Sequence, residues 1–336
     1  MKRFFSLLLA LMICLGAASA EAGLLPAFAY QGDDPCLGAA CDYIVRTFGG
    51  SYESCDVTIP SGVALALDDS DPEDTLLWGV FSLDNYAALN TTLFCMNGGT
   101  YEGLVHLKAV DGGWQATSME CAGDQGDYSE DVERIFGMRE GLLDRYQAAG
   151  DDAVQAARMQ FVSDYVRENG LSFTQRQDFG WPPEPLIGAP ETAEADQIVH
   201  YASAMGYGID YDLRLFSFMR YDDQLESFSG VGALEGISLS VELMQDGADA
   251  VAQRLAAELA QPVTEETTIG EAGLAATCVR DATMPEGVNR PAYVLPLEEG
   301  CLVVSLSNTY YAGEDSPVVD GADAALEALL AAFRLG

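Results

Sequence analysis

Hydrophobic and polar positions along the chain switch between a period of two and a period of 3.6. The stretch from Leu93 to Cys121, LFCMNGGTYEGLVHLKAVDGGWQATSMEC, reads as three consecutive strands with two turns. Asp111-Gly112 predicts a two-residue hairpin turn, because the turns whose twist matches paired strands need positive φ and Asp-Gly adopts it cheaply. That turn sets a register in which Ala109 faces Trp114 and Leu107 faces Ala116, with Val105 on the same apolar side. Lys108, Gln115, His106 and Thr117 share the polar side, as in an antiparallel sheet packed on one face. Asn97-Gly98-Gly99 predicts the other turn, joining Leu93–Met96 to a strand that begins near Tyr101.

Upstream, Pro35–Phe48 reads as a helix capped by Asp33 or Asp34, with proline in its first turn and Gly49-Gly50 at its end. Leu37, Cys41, Ile44, Val45 and Phe48 form its apolar stripe. Val57–Ile59 and Val63–Leu67 read as short strands broken by Pro60-Ser61-Gly62, and Thr75–Leu83 as a further strand. After Cys121, Val132, Ile135 and Phe136 open a helix behind Ser129, continued by Met138, Leu142, Leu143 and Tyr146, with interruptions at Gly137 and Gly141. A second helix runs from about Asp151 to Glu168 and stops at Asn169-Gly170. Leu171–Gln175 follows as a closing strand. The prolines of Trp181-Pro182-Pro183-Glu184-Pro185 can continue neither structure, so a domain boundary is expected between about Trp181 and Glu191.

Beyond the boundary, Ala195, Ile198, Val199 and Ala202 read as a helix stripe. Strands follow at Ile209–Leu215, Phe216–Tyr221, Leu225–Phe228 and Ile237–Leu243. Asp246 caps a helix, and further strands are expected at Thr267–Ile269, Leu274–Arg280, Ala292–Leu297 and Cys301–Leu306. Asp320 caps a final helix with Leu326, Leu329, Leu330 and Phe333 on one face. The expected fold class is α+β in two domains, residues 31–180 and 190–336, each a mainly antiparallel sheet packed by helices.

Composition changes the picture at the start of the chain. Lys2 and Arg3, an apolar run from Phe4 to about Gly16, and Ala18-Ser19-Ala20 form the pattern of a cleaved secretory leader spanning 1–20. No other stretch is long and apolar enough for a helical span. Removal of Lys2 and Arg3 from the 16 basic residues leaves 14 against 53 acidic ones, a formal charge of −39. A field of that sign repels nucleic acid and anionic membranes, and a halophilic origin gives the same composition.

Seven cysteines remain after the leader. No C-x-x-C occurs, and the histidines are His106 and His200 alone, so neither a zinc site nor any cofactor is expected. Export makes disulfides the default. Cys278 and Cys301, alone beyond residue 121, are expected to pair, although Ala292–Leu297 would lie between them in a simple meander. Connectivity among Cys36, Cys41, Cys55, Cys95 and Cys121 stays open.

The run Tyr207-Gly208-Ile209-Asp210-Tyr211-Asp212, the alternating Ile237–Leu243 strand, Ile269-Gly270-Glu271-Ala272-Gly273 and Gly300-Cys301-Leu302-Val303-Val304 resemble PsbP-like domains of bacterial secreted proteins. The first domain, through Phe94–Gly99, Gly103–Lys108 and Gln177–Pro182, resembles exported domains of gut-associated Firmicutes. Its helix and curled sheet are similar to cystatin-like and nuclear-transport-factor-like folds, which host binding modules and enzymes alike.

Catalytic signatures are missing. There is no G-x-S-x-G, S-x-x-K, H-E-x-x-H, P-loop or dinucleotide fingerprint. The acidic run Asp68–Asp74 lacks the ligand spacing of a calcium loop and reads as a solvated loop. Asp178 beside Trp181 is the one candidate binding corner; no residue is expected to be catalytic. The sequence therefore implies an exported, non-catalytic binding protein, with a protein or small molecule as partner. The alternative is a hydrolase or isomerase using a carboxylate in the first domain's cavity.

Overall fold

The computed structural model describes residues 25–53, 55–123, 127–283, 291–308 and 321–336. The expected leader Met1–Ala20 and the expected cap Asp320 lie outside the described residues. Helix α1 spans Pro35–Phe48, its first amides satisfied by Asp34 Oδ1, which accepts from Cys36 N at 3.0 Å and Leu37 N at 3.1 Å. It is followed by β1 (Val57–Asp68), β2 (Thr75–Leu89), β3 (Thr92–Val110) and β4 (Gly113–Cys121), each antiparallel to the one before it. The β3–β4 register pairs Ala109 with Trp114 and Leu107 with Ala116, as the Asp-Gly turn predicts. A bulge beyond Leu107 then places Ser118, and not Thr117, opposite His106. The acidic run between β1 and β2 is an exposed loop in which Asp68 and Asp71 accept from amides of the loop itself.

Two expected breaks are absent. Pro60-Ser61-Gly62 lies within β1, an edge strand, where a missing backbone donor is tolerated. Asn97-Gly98-Gly99 lies within β3, so the three expected strands are two. Gly98 serves close approach: a Cβ there would stand 2.5 Å from the Leu83 carbonyl oxygen of β2.

Helices α2 (Tyr128–Phe136) and α3 (Leu142–Glu168) follow; the cap of α2 is Asp127, two residues before the expected Ser129. Gly150, at φ 50° and ψ 179°, breaks α3 internally where the sequence starts a new helix. Alternation along β2 divides the packing: Leu77, Phe81 and Leu83 bury against α1, Trp78 against α2, and Tyr86 against Val162 and Tyr165 of α3. Strand β5 is Gln175–Asp178, later than expected, and runs parallel to the start of β3. Strand β6, Glu184–Pro185, pairs with β5, and the buried Leu186 joins the core beneath α3. The Pro-rich segment expected as a linker thus begins as part of the first body.

The expected helix around Ile198 is instead β7 (Ile198–Ala202), preceded by a short 3-10 turn. It pairs with β8 (Tyr207–Asp212). Strands β9 (Phe216–Arg220), β10 (Leu225–Gly230), β11 (Ile237–Met244), β12 (Pro262–Ile269), β13 (Leu274–Asp281), β14 (Ala292–Pro296) and β15 (Cys301–Asn308) complete a seven-stranded antiparallel sheet ordered β12-β13-β14-β15-β11-β10-β9. Helix α4 (Ala248–Ala257), which starts after Gly247 and not at Asp246, covers one face with Val279, Val294 and Val303. Helix α5 (Ala322–Ala331) packs with Leu302 and Val304 on the other, and β16 (Arg334–Leu335) adds to β8. The chain is α+β, built on antiparallel sheets.

The expected Cys278–Cys301 bridge is not formed; both cysteines are free thiols. Strand β14 lies between them: Cys278 pairs with Tyr293, whereas Cys301 pairs with Pro296. Cys301 is buried beneath α4, while Cys278 shares the parity of Ala276, which faces the α5 core. Two strand spacings of about 4.8 Å each already exceed the ~7 Å Cα limit for a disulfide. Non-reducing peptide mapping is expected to recover the two cysteines unlinked to each other; a peptide joining them would contradict this register.

Candidate functional site

Alternation along β5 sends Arg176 and Asp178 to one side and Gln175 and Gln177 to the other. Gln175 bonds Thr92 Oγ1 and Gln197, and Gln177 donates to the carbonyl oxygens of Leu213 and Trp181, tying this strand to the second half of the chain. Toward α3, charged groups converge. Arg158 donates through Nε and Nη2 to the two oxygens of Asp84, each at 2.8 Å, and Nη2 stands 3.6 Å from Asp178. Arg176, with its side chain 3% exposed, reaches Asp178 Oδ2 at 3.3 Å, Glu184 Oε2 at 3.0 Å and Gln155 at 3.1 Å.

Burial sets the chemistry of these groups. It pushes the Asp84 carboxyl above the ordinary carboxylate range, against the opposing field of Arg158. It also raises the neighbouring Cys95 thiol, reinforced by Asp84 and Asp178, so that sulfur stays protonated at neutral pH. Tyr86 is raised chiefly by burial and remains a phenol. Neither the thiol nor the bidentate-paired carboxylate is poised as a nucleophile or base at neutral pH.

The cluster opens to solvent at Trp181, 69% exposed despite its size. The turn that presents it is fixed from both sides: Trp181 N donates to the Asp178 carbonyl at 3.1 Å and Gly180 N donates to Ser217 Oγ of β9 at 2.8 Å. Gly180 stands at φ 81°, a conformation glycine takes without strain. Three cavities meet at this indole. The first, ≈ 250 Å³, is lined by Gln155, Arg176, Asp178, Trp181, Pro182 and Glu184. The second, ≈ 380 Å³, is an open depression that reaches Asp84, Cys95 and Arg158 and includes Met219 of β9 in its lining. The third, ≈ 610 Å³, runs from Trp181 to Tyr221 along the Gly230–Ile237 segment.

Asp178 and Trp181, the corner singled out from the sequence, therefore lie together in one cleft. Arg158, Arg176, Asp84 and Glu184 come from distant elements and were not legible as a set; the alternation of Gln175–Asp178 was the available signal for Arg176. His106 lies elsewhere between Asp74 at 2.8 Å and Glu120 at 3.4 Å, and His200 lies 3.0 Å from Asp210. Cys278 and Cys301 belong to the sheet of the second half, away from the cleft.

No protein-family model matches the chain, and no curated protein matches it. Among solved structures, the apo immunity protein TplEi of the T6SS from Pseudomonas aeruginosa aligns with 91% of this chain and 86% of that one, at 10% identity and a TM-score of 0.25. So loose a superposition carries no argument about fold or function.

Proposed function

We propose that the chain is an exported, non-catalytic binding protein of the bacterial cell envelope or exterior, taking its ligand in the cleft around Trp181. The observation that carries this reading is a large aromatic side chain, 69% exposed, at the meeting point of three cavities and held by a turn fixed on both sides. An exposed, rigid indole supplies contact area at low entropic cost. The leader-like sequence at Met1–Ala20 supports export, and the resemblances to PsbP-like and cystatin-like or nuclear-transport-factor-like exported domains accord with a binding role.

The carboxylate-enzyme alternative draws on one observation, the buried Asp84 with its raised pKa. Asp84, however, gives both oxygens to Arg158, the geometry of a fixed counter-ion and not of a base awaiting a proton.

The mature chain, beginning at Glu21, is expected to give saturation-transfer NMR signals with some members of a mixed set of amines, carboxylates and sugars. Those signals should disappear in Trp181→Ala, with every fragment recovered unchanged. Signals indifferent to that substitution, or chemical turnover of a fragment, would overturn the reading. An intact Met1 on the native protein would overturn export.

A further inference from the structure

We infer that the pocket beside Trp181 receives an organic monocation, the guanidinium or ammonium end of a ligand. The inference rests on the reading of the Trp181 cleft as a binding site and names the chemistry of its guest.

Five charged side chains converge there: Asp84, Asp178 and Glu184 against Arg158 and Arg176, which leaves one carboxylate in excess. Their depths are unequal. Arg176 is 3% exposed and holds Asp178 and Glu184 from behind, while Glu184 is 56% exposed at the rim. Arg158 and Asp84 lie deeper than the rim, their side chains 13% and 8% exposed, and are paired to each other in the second cavity. A group entering the ≈ 250 Å³ pocket therefore meets the edges of Asp178 and Glu184 and the Trp181 indole before it meets the Arg176 guanidinium. Glu184 uses Oε2 for Arg176, and its carboxylate edge faces the cavity.

That surface suits a cation. An indole face attracts ammonium and guanidinium groups through its quadrupole, and an adjacent carboxylate supplies a charge-assisted acceptor. An anion would have to pass Asp178 and Glu184 to reach the Arg176 guanidinium, whose two terminal nitrogens already donate to them. A cavity of ≈ 250 Å³ accommodates the end of one long basic side chain, and the adjoining ≈ 610 Å³ cavity toward Tyr221 leaves room for what the cation is attached to. The formal charge of −37 on the whole chain adds a field that draws cations in.

Isothermal titration calorimetry on the mature chain separates the possibilities with three blocked amino acids: N-acetylarginine amide, its neutral isostere N-acetylcitrulline amide, and N-acetylglutamate amide. N-acetyllysine amide asks whether an ammonium serves as well as a guanidinium. The arginine or lysine probe is expected to bind at least about tenfold more tightly than the citrulline probe. Trp181→Ala should weaken that binding about tenfold, with an unchanged melting curve because the indole is exposed, and Glu184→Gln about fivefold, with the new amide oxygen still able to accept from Arg176. Added salt should weaken it further.

Equal binding of the citrulline probe, or tighter binding of the glutamate probe, would overturn the cation assignment. If Trp181→Ala abolished that binding, the cleft itself would stand as the binding site. Cation binding unchanged in both variants would overturn the assignment and the cleft together. Absence of binding by any of these probes would overturn the assignment, leaving the cleft to the mixed fragment set.

Discussion

Replacing Glu226 by alanine is expected to cost about 3–5 kcal/mol of stability, the sum of two tyrosine hydroxyls left without their acceptor and of the cavity left behind. Glu226, on β10, is 2% exposed. One carboxylate oxygen accepts from Tyr201 at 2.6 Å and Arg220 Nε at 3.1 Å, and the other accepts from Tyr207 at 2.6 Å. The two tyrosines stand on β7 and β8, so a single carboxylate fastens the three-stranded sheet to the seven-stranded one. Alanine would leave the hydroxyls and Arg220 without their acceptor and open a cavity beside the aromatic cluster of Tyr201, Phe218 and Phe228. Glutamine preserves the volume and one acceptor oxygen and should cost about 1–2 kcal/mol. Urea unfolding of both variants checks this; a Glu226→Ala midpoint indistinguishable from the parent would contradict the role assigned to this residue.

Arg158→Met should destabilise by a similar amount, about 3–5 kcal/mol at neutral pH, because it leaves the Asp84 carboxyl buried without its bidentate partner. The pH dependence distinguishes this cause from lost packing. Asp84 already has a folded pKa above its unfolded value, so the folded chain holds its proton more tightly. Its contribution to stability is then greatest at low pH and is lost as pH rises through the folded value. Removing Arg158 removes the field that opposes the effect of burial, so the defect should be largest near pH 7 and shrink toward about pH 4, close to the ordinary carboxylate value. Adding Asp84→Asn should recover much of the loss at neutral pH. A defect of constant size across that range, or no recovery in the double variant, would mean that packing and not the unpaired carboxylate is responsible.

Local chemistry explains what could be read from the chain. Helix α1 was legible to its ends because cap, proline and terminal glycines all act within a few residues of the helix. The Asp111-Gly112 register was legible because a two-residue turn fixes its nearest pairs, and it failed at Thr117 because a bulge depends on the partner strand. Asn97-Gly98-Gly99 has the composition of a turn, yet Gly98 is glycine for the sake of a neighbouring backbone, which only the fold brings near. Ile198–Ala202 resembled a helix stripe because its apolar residues satisfy both periods over so short a run; pairing with β8 decides for strand.

The candidate site divides the same way. Asp178 and Trp181 were visible because a large aromatic beside an acidic turn in a Pro-rich segment is unusual on its own. Arg158 lies 74 residues from Asp84 in sequence, and no local pattern joins them. The Cys278–Cys301 expectation failed for a related reason: count and compartment suggested a pair, but strand order and side-chain parity place the thiols on different faces.

The central claim, that Trp181 is the contact point for a ligand, is tested most directly by fluorine NMR of protein labelled with 5-fluorotryptophan, using N-acetylarginine amide as titrant. The chain has three tryptophans, which serve as internal controls: Trp78 is 1% exposed in the core and Trp114 packs against the α1 side. The expected result is a saturable shift of the resonance assigned to Trp181 by its loss in Trp181→Phe, with Trp78 and Trp114 unmoved. A saturable shift at Trp114 or Trp78 with Trp181 stationary would contradict the account.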